Sequence, residues 1–488
     1  MTDHIASQIT EATPSLLERT TPLTEPSSDR PTIVGPAPSI TSTDSTAQQS
    51  SLSRSFSDNY AYPTETIWRP AIGVDVEEGT IGLHGVDWLK ARLQPRDMEP
   101  CAIVLAEMLK QSISWKRDVT LATQDWMAGL VGDDARRRVL RSLQHIGAIC
   151  AADRANRRCD DPRQFTLTNE YRQQPLGTLP LSNNAKQRIQ RSRHYSLEQS
   201  LKTSAVCRAL WEDLHHASLH PSWIQAMPLF SEKDYAKQWS WTSSAELLLS
   251  GRPTLSCRQR DDFDLPGRIY TSFSSTPSAL RKYALIDGEP LVCIDVKACQ
   301  PFLHATLIED CEERRRYLAN VNSGQFYEDL AAEAGLLSLS RAKIKERVFQ
   351  DIYYGPNQLA YQSPVKDAFA RRYPKLSTQI ALKKGGDFRT LPIEMQHLEA
   401  KIVLYTAVAG LKLAHPRIRL LTVHDSVYVP KRHAEITCEH LHLAFVQHCG
   451  SSPEFRVERP PTHSSANRQQ FQQDPSNLSE APSSQMPT

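Results

Sequence analysis

Three short segments in the C-terminal half carry residues whose types and spacing could do chemistry. Leu291-Val292-Cys293-Ile294-Asp295-Val296 reads as a buried apolar strand that delivers Asp295 to its end, with a helical pattern after it. Burying a carboxylate there unpaired is costly, so Asp295 must be solvated, hydrogen-bonded or metal-bound. In the second segment, Leu420 to Val429, two β-rich runs flank His424-Asp425-Ser426, a hairpin tipped by Asp425. Two tips with one Asp each could hold two Mg²⁺ roughly 3.5–4 Å apart, an arrangement that activates a 3′-hydroxyl and stabilises a leaving pyrophosphate. Taken singly, each Asp is more often a turn or capping residue. The third segment is a helix with Arg341, Lys345, Phe349 and Tyr353 at four-residue spacing, one slowly drifting stripe. Two cations followed by two rings suit a nucleoside triphosphate, the cations on phosphates and a ring against base or sugar. Solvated cations above core aromatics would produce the same letters.

The elements that carry these residues sit behind a different kind of text. Asp97–Lys110 has apolar residues at helical spacing, and Thr120–Leu130 reads as a second helix. A third runs from Asp133 to Ile146 and ends at Gly147, with Val139, Leu140, Leu143 and Ile146 on one face and Arg136, Arg137, Arg138 and Arg141 opposite. An Arg-rich loop (Arg154, Arg157, Arg158, Arg163) and the alternating run Gln164–Thr168 follow. Three helices and a hairpin describe a winged helix-turn-helix, whose Arg136–Arg141 helix would meet DNA and whose loop would meet phosphates. A solvated basic face on a protein-interaction module is the plainer alternative. Residues 176–265 are helix-prone and polar, with a clear segment at Ser204–His216.

The chain has 488 residues, 40% hydrophobic and 23% charged, with 57 Lys+Arg against 55 Asp+Glu. That length predicts several domains. The net charge of +2 hides an asymmetry, because residues 61–459 carry +7 between mildly acidic ends. A basic body fits a nucleic-acid partner. About half of the first 50 residues are Ser, Thr or Pro, so residues 1–65, and likewise 459–488, are expected to be disordered. The longest mostly apolar stretch, Ile402–Leu411, is half of what a bilayer requires, and no basic-then-apolar leader opens the chain. Ten scattered cysteines without a CxxC pair fit an intracellular, cytoplasmic protein and neither a disulfide framework nor a zinc site.

In their order and separation, the three segments resemble motifs A, B and C of the A-family DNA polymerases. Arg341, Lys345, Phe349 and Tyr353 fall in register with the family's Arg-x3-Lys-x3-Phe-x3-Tyr-Gly, except that Tyr354 precedes Gly355. Asp295 matches the start of motif A, and His424-Asp425-Ser426 matches His-Asp-Glu of motif C. Gly267-Arg268-Ile269 is similar to a Gly-Arg-Leu segment and Met395-Gln396 to a template-contacting Met-Gln helix. The likeness covers residues 266–458. It implies an α+β right-hand fold with palm and fingers, residues 176–265 being thumb-like, and a two-metal DNA polymerase using dNTPs on a primer–template. Asp295, the Val296 carbonyl and Asp425 would hold two Mg²⁺. Lys345 would be catalytic and, with Arg341, Phe349, Tyr353 and Gln300, would bind the nucleotide. Arg268, Gln396 and His424 would meet the primer–template.

Two departures widen the reading. Gln300 stands where the family has a glutamate that helps exclude ribonucleotides, and Ser426 replaces the third acidic residue of motif C. The single-subunit RNA polymerases share the fold and carry His-Asp-Ser, but have Met where this chain has Phe349. An RNA polymerase or primase, or an inactive DNA-binding regulator, is therefore the alternative. The place before the palm where a proofreading exonuclease would stand is taken by the winged helix, so no proofreading is expected. A winged helix (75–175) joined to a compact palm suggests site-specific initiation, as in a replication protein of a mobile element or virus.

Overall fold

In the computed structural model, residues 72–115, 119–122, 124–151, 163–227, 235–259 and 262–460 are described. The stretches expected to be disordered lie outside them apart from 459–460, as do Arg154, Arg157 and Arg158. All described residues fall in one compact unit, 60–488.

Two hydrophobic cores organise the chain. The first forms around α1 (Pro95–Trp115), where residues 101–109 are all buried. A helix apolar on every side needs cover on every side. One side is covered by β1 (Gly73–Asp75) and β2 (Thr80–His84). β3 (Val119–Ala122), α2 (Gln124–Val131) and α3 (Asp133–His145) follow, then β4 (Ile149–Ala151) and β5 (Arg163–Leu167), giving a three-stranded antiparallel sheet of order β3-β5-β4. Positions 119–122 are thus an edge strand, not the start of the second helix, because they pair with β5 across Val119↔Thr166 and Ala122↔Arg163. β6 (Leu176–Pro180) pairs with β2, so the first module runs past residue 175. α4 (Asn183–Thr203) leaves this core through Ala185 and Ile189 and reaches the second through Ser200, whose Oγ donates to the Cys257 carbonyl.

In the second core, β7 (Ala217–Leu219), β10 (Ala284–Ile286), β11 (Glu289–Val296), β13 (Ser426–Pro430) and β12 (Leu421–Val423) form one antiparallel sheet, in the order β12-β13-β11-β10-β7. The short β8 (Leu255–Ser256) and β9 (Tyr270–Thr271) pair separately, and β14 (Phe455–Glu458) joins β11 where β10 has ended. Because β7 is a strand of this sheet, and Val206, Leu210, Leu214 and Leu248 share its core, residues 176–265 are not a separate thumb-like body. β11 alternates where a continuous buried run was expected. Val292, Ile294 and Val296 are 0–2% exposed on the core face, while Cys293 and Asp295 are half-buried on the other.

Helix α5 (Cys299–His304) follows Asp295 and is buried throughout. At its end His304 Nδ1–H donates to the Gln300 carbonyl (2.6 Å), the ring stacks on Tyr353 at 4.0 Å, and Nε2 has no partner. Burial therefore keeps the imidazole neutral and lowers its pKa to about 4. Unfolded His titrates near 6.5, so the stability that rests on neutral His304 is complete above that pH and is lost as pH falls towards 4. The expected loss is on the order of 2 kcal/mol between pH 7 and pH 5. Denaturant unfolding at the two pH values measures it, and His304→Phe should flatten that part of the slope.

Candidate active site

The hairpin of β12 and β13 closes through a two-residue loop, His424-Asp425, between paired Val423 and Ser426. Such a turn needs positive φ at its first position, usually supplied by glycine. Here His424 takes it (φ 55°), a strained conformation of the kind found at functional sites. Register then brings the two acidic tips together. Asp295 lies directly opposite Ser426, whose Oγ donates to the Asp295 carboxylate at 2.5 Å, and Asp425 is the next residue of the turn.

A third carboxylate, unsuspected from sequence, completes the cluster. Glu399, 1% exposed, sits on α7 (Thr390–Ala400), the helix of Met395 and Gln396. Arg268 grips it bidentately (Nε–Oε1 and Nη2–Oε2, both 2.8 Å), and Gln300 Nε2 donates to it at 2.6 Å. Burial, then the neighbouring carboxylates of Glu399 and Asp295, push Asp425 well above the usual carboxylate range. Gln300 Oε1 is buried with no partner, and so is His424 Nδ1. Gln396 is half-buried about one turn before Glu399. The available signal for Glu399 was one acid just before the mostly apolar stretch Ile402–Leu411.

The nucleotide stripe is bent. α6 (Arg341–Arg347) runs into a π-helical segment, Val348–Tyr354. Its i→i+5 bonds accommodate one extra residue, so four-residue spacing no longer defines a face. Tyr353 consequently turns inward. It is fully buried, shares a 2.9 Å hydroxyl contact with Tyr317 and stacks on His304, which corrects its assignment to nucleotide binding. Tyr354, five residues after Phe349 and 5.2 Å from its ring, takes the outward place. Burial together with the nearby charges of Glu399 and Asp425 raises Tyr354 to about 12, partly offset by Arg268. Lys345 is exposed with Nζ 5.8 Å above Phe349, whereas Arg341 is tied to Glu328 and the Gly324 carbonyl. Lys345, Phe349 and Tyr354 thus form a path of contacts whose last member feels the charge of the acid cluster.

In the N-terminal module the four arginines of α3 divide. Arg138 is spent on Asp97, a 2.6 Å bond to a carboxylate 8% exposed, and Arg136 pairs with Asp133 at 3.2 Å. Arg137 and Arg141 are exposed, without a carboxylate partner among the described residues.

Whether a divalent cation fits can be judged from the donor set. Asp295 and Asp425 offer two mutually repelling carboxylates, and Val296 ends β11 beside them. Among the described residues no three His, Cys, Asp or Glu side chains are grouped to hold a metal. Mg²⁺ does not require such a cage, since it usually takes one or two carboxylates and fills its octahedron with water and substrate phosphate. The residues fit that ion. No helix among the described residues is long and apolar enough to cross a membrane.

No protein-family profile and no curated protein matches the chain. Among solved structures it is similar to the POL domain of Pol1 from M. smegmatis in complex with DNA primer-template and dNTP, with 11% identity and a TM-score of 0.32. The match covers 79% of this chain and 66% of that one, just under two thirds of its length. The functional reading rests on the geometry of the site.

Proposed function

We propose that the chain is a template-directed nucleotidyltransferase that extends a primer 3′-end with dNTPs. One observation carries the reading: the β11–β13 register brings Asp295 beside the Asp425 turn, with Arg268, Glu399 and Gln300 gathered against the same pair. Asp295 and Asp425, with the Val296 carbonyl, would hold two Mg²⁺. When bound, these ions supply Lewis-acid activation of the 3′-oxygen and charge neutralisation at the leaving pyrophosphate. Exposed Lys345 would hold the triphosphate, and the Phe349 and Tyr354 rings would bear on base or sugar. Arg268, locked by Glu399, would keep a fixed direction towards the primer–template. Gln300, held through its amide nitrogen by Glu399, would stand beside the sugar. The order helix, strand, two helices, two strands around α3 supports a winged-helix reader, with Arg137 and Arg141 as its free contacts. A replication protein that starts at a defined site unites the two modules.

Primer extension with Mg²⁺, on primed and unprimed template, with dNTPs or NTPs, tests the proposal. Incorporation only from dNTPs on primed template is expected. Incorporation from NTPs without primer would turn the reading to an RNA polymerase or primase, and none under any condition would turn it to a DNA-binding regulator. Lys345→Ala should raise KM for dNTP roughly ten- to hundredfold, the worth of a charged hydrogen bond, and leave primer–template affinity unchanged.

A further inference from the structure

A cavity of about 200 Å³ opens on the half-exposed face of β11 and β13, lined by Asp295, Ser426 and Tyr428 and by three cations, Arg281, Lys282 and Arg459. None of the three has a carboxylate partner among the described residues. Of the acids at the cavity, Glu458 is drawn aside to Arg456 at 3.2 Å, which leaves Asp295. Arg281 Nε is buried with nothing to accept its hydrogen bond. The Arg281 charge is also felt at His424 in the acidic turn and at Tyr428 on β13. At ~30 Å³ of liquid volume per water, the space exceeds what one or two waters fill.

We infer that this cavity is a phosphate-binding subsite contiguous with the acid pair, and that it takes a backbone phosphodiester of the strand whose 3′-end is extended. The identity of the strand rests on the nucleotidyl-transfer reading; the preference for phosphate does not. Three cations on a wall beside a lone carboxylate suit a diester oxygen, while exposed Lys345 is left for the triphosphate. A free nucleotide or pyrophosphate offers the same chemistry and is the competing source.

The test is binding of the full chain in EDTA, where catalysis plays no part, by fluorescence anisotropy with a labelled primer–template, and by calorimetry with dNTP and with pyrophosphate. Arg281→Gln and Lys282→Gln are each expected to weaken primer–template binding about three- to tenfold and to lower the salt slope by about one, with dNTP and pyrophosphate affinities unchanged. Exposed Lys282 keeps the test sound if Arg281→Gln misfolds. Loss of dNTP or pyrophosphate affinity with primer–template binding intact would overturn the strand assignment and uphold the phosphate subsite. No change for any of the three probes would overturn the subsite itself, whatever primer extension shows.

Discussion

Asp295→Asn and Asp425→Asn are each expected to reduce nucleotide incorporation by on the order of 10³-fold or more, because a neutral amide cannot supply the charge that holds Mg²⁺ against phosphate. Both changes keep shape, so the folds should survive. Their effects on stability should differ. Asp295 accepts the Ser426 hydroxyl bond, which an amide oxygen can still accept, so Asp295→Asn should be close to neutral. Charged Asp425 is opposed by burial and by Glu399 and Asp295, so Asp425→Asn removes a repulsion and should raise the unfolding midpoint. Activity loss accompanied by equal or higher stability is what a functional carboxylate produces. Denaturant unfolding beside single-turnover extension reads both, and wild-type incorporation by both variants would end the nucleotidyl-transfer proposal.

The largest stability effect is expected at Arg268. Its guanidinium is mostly buried against Glu399, whose side chain is 2% exposed. Arg268→Met leaves that carboxylate buried, unpaired and close to two others, at a cost of about 3–5 kcal/mol. Arg268→Met combined with Glu399→Leu removes both charges and should recover most of the loss, because a buried ion pair contributes little beyond the harm of breaking it. The double variant should remain inactive, since neither an arginine for the primer–template nor an anchor for Gln300 remains. Unfolding free energies of the two single variants and the double one complete the cycle. A double variant no more stable than Arg268→Met would show that the two side chains do not act as a pair.

The strands and the two aspartates of the site are legible because they are local facts. A hydrophobic run that ends in Asp, and a two-residue turn between β-branched runs, announce themselves within ten residues. The helix stripe was legible in composition and misread in geometry, since the α-helical period was assumed where the backbone is π-helical. Phe349 is half-exposed, Tyr353 lies in the core, and Tyr354, which precedes Gly355, packs beside Phe349. The basic face of α3 is legible as basic, but not all of it is free, because Arg138 pairs with Asp97, 41 residues earlier.

By itself, then, the sequence determined which side chains stand at strand ends and turns, where the apolar faces lie, and that the body between the acidic ends is basic. Those properties depend on neighbours within a few residues and on the periods of helix and strand. Only the tertiary structure decided that Glu399 and Arg268, 131 residues apart, neutralise one another beside Asp425, and that Arg281 is left with a buried donor at the same face. Pairing and desolvation are long-range quantities: they depend on what a fold brings within a few ångströms, and no local pattern encodes them.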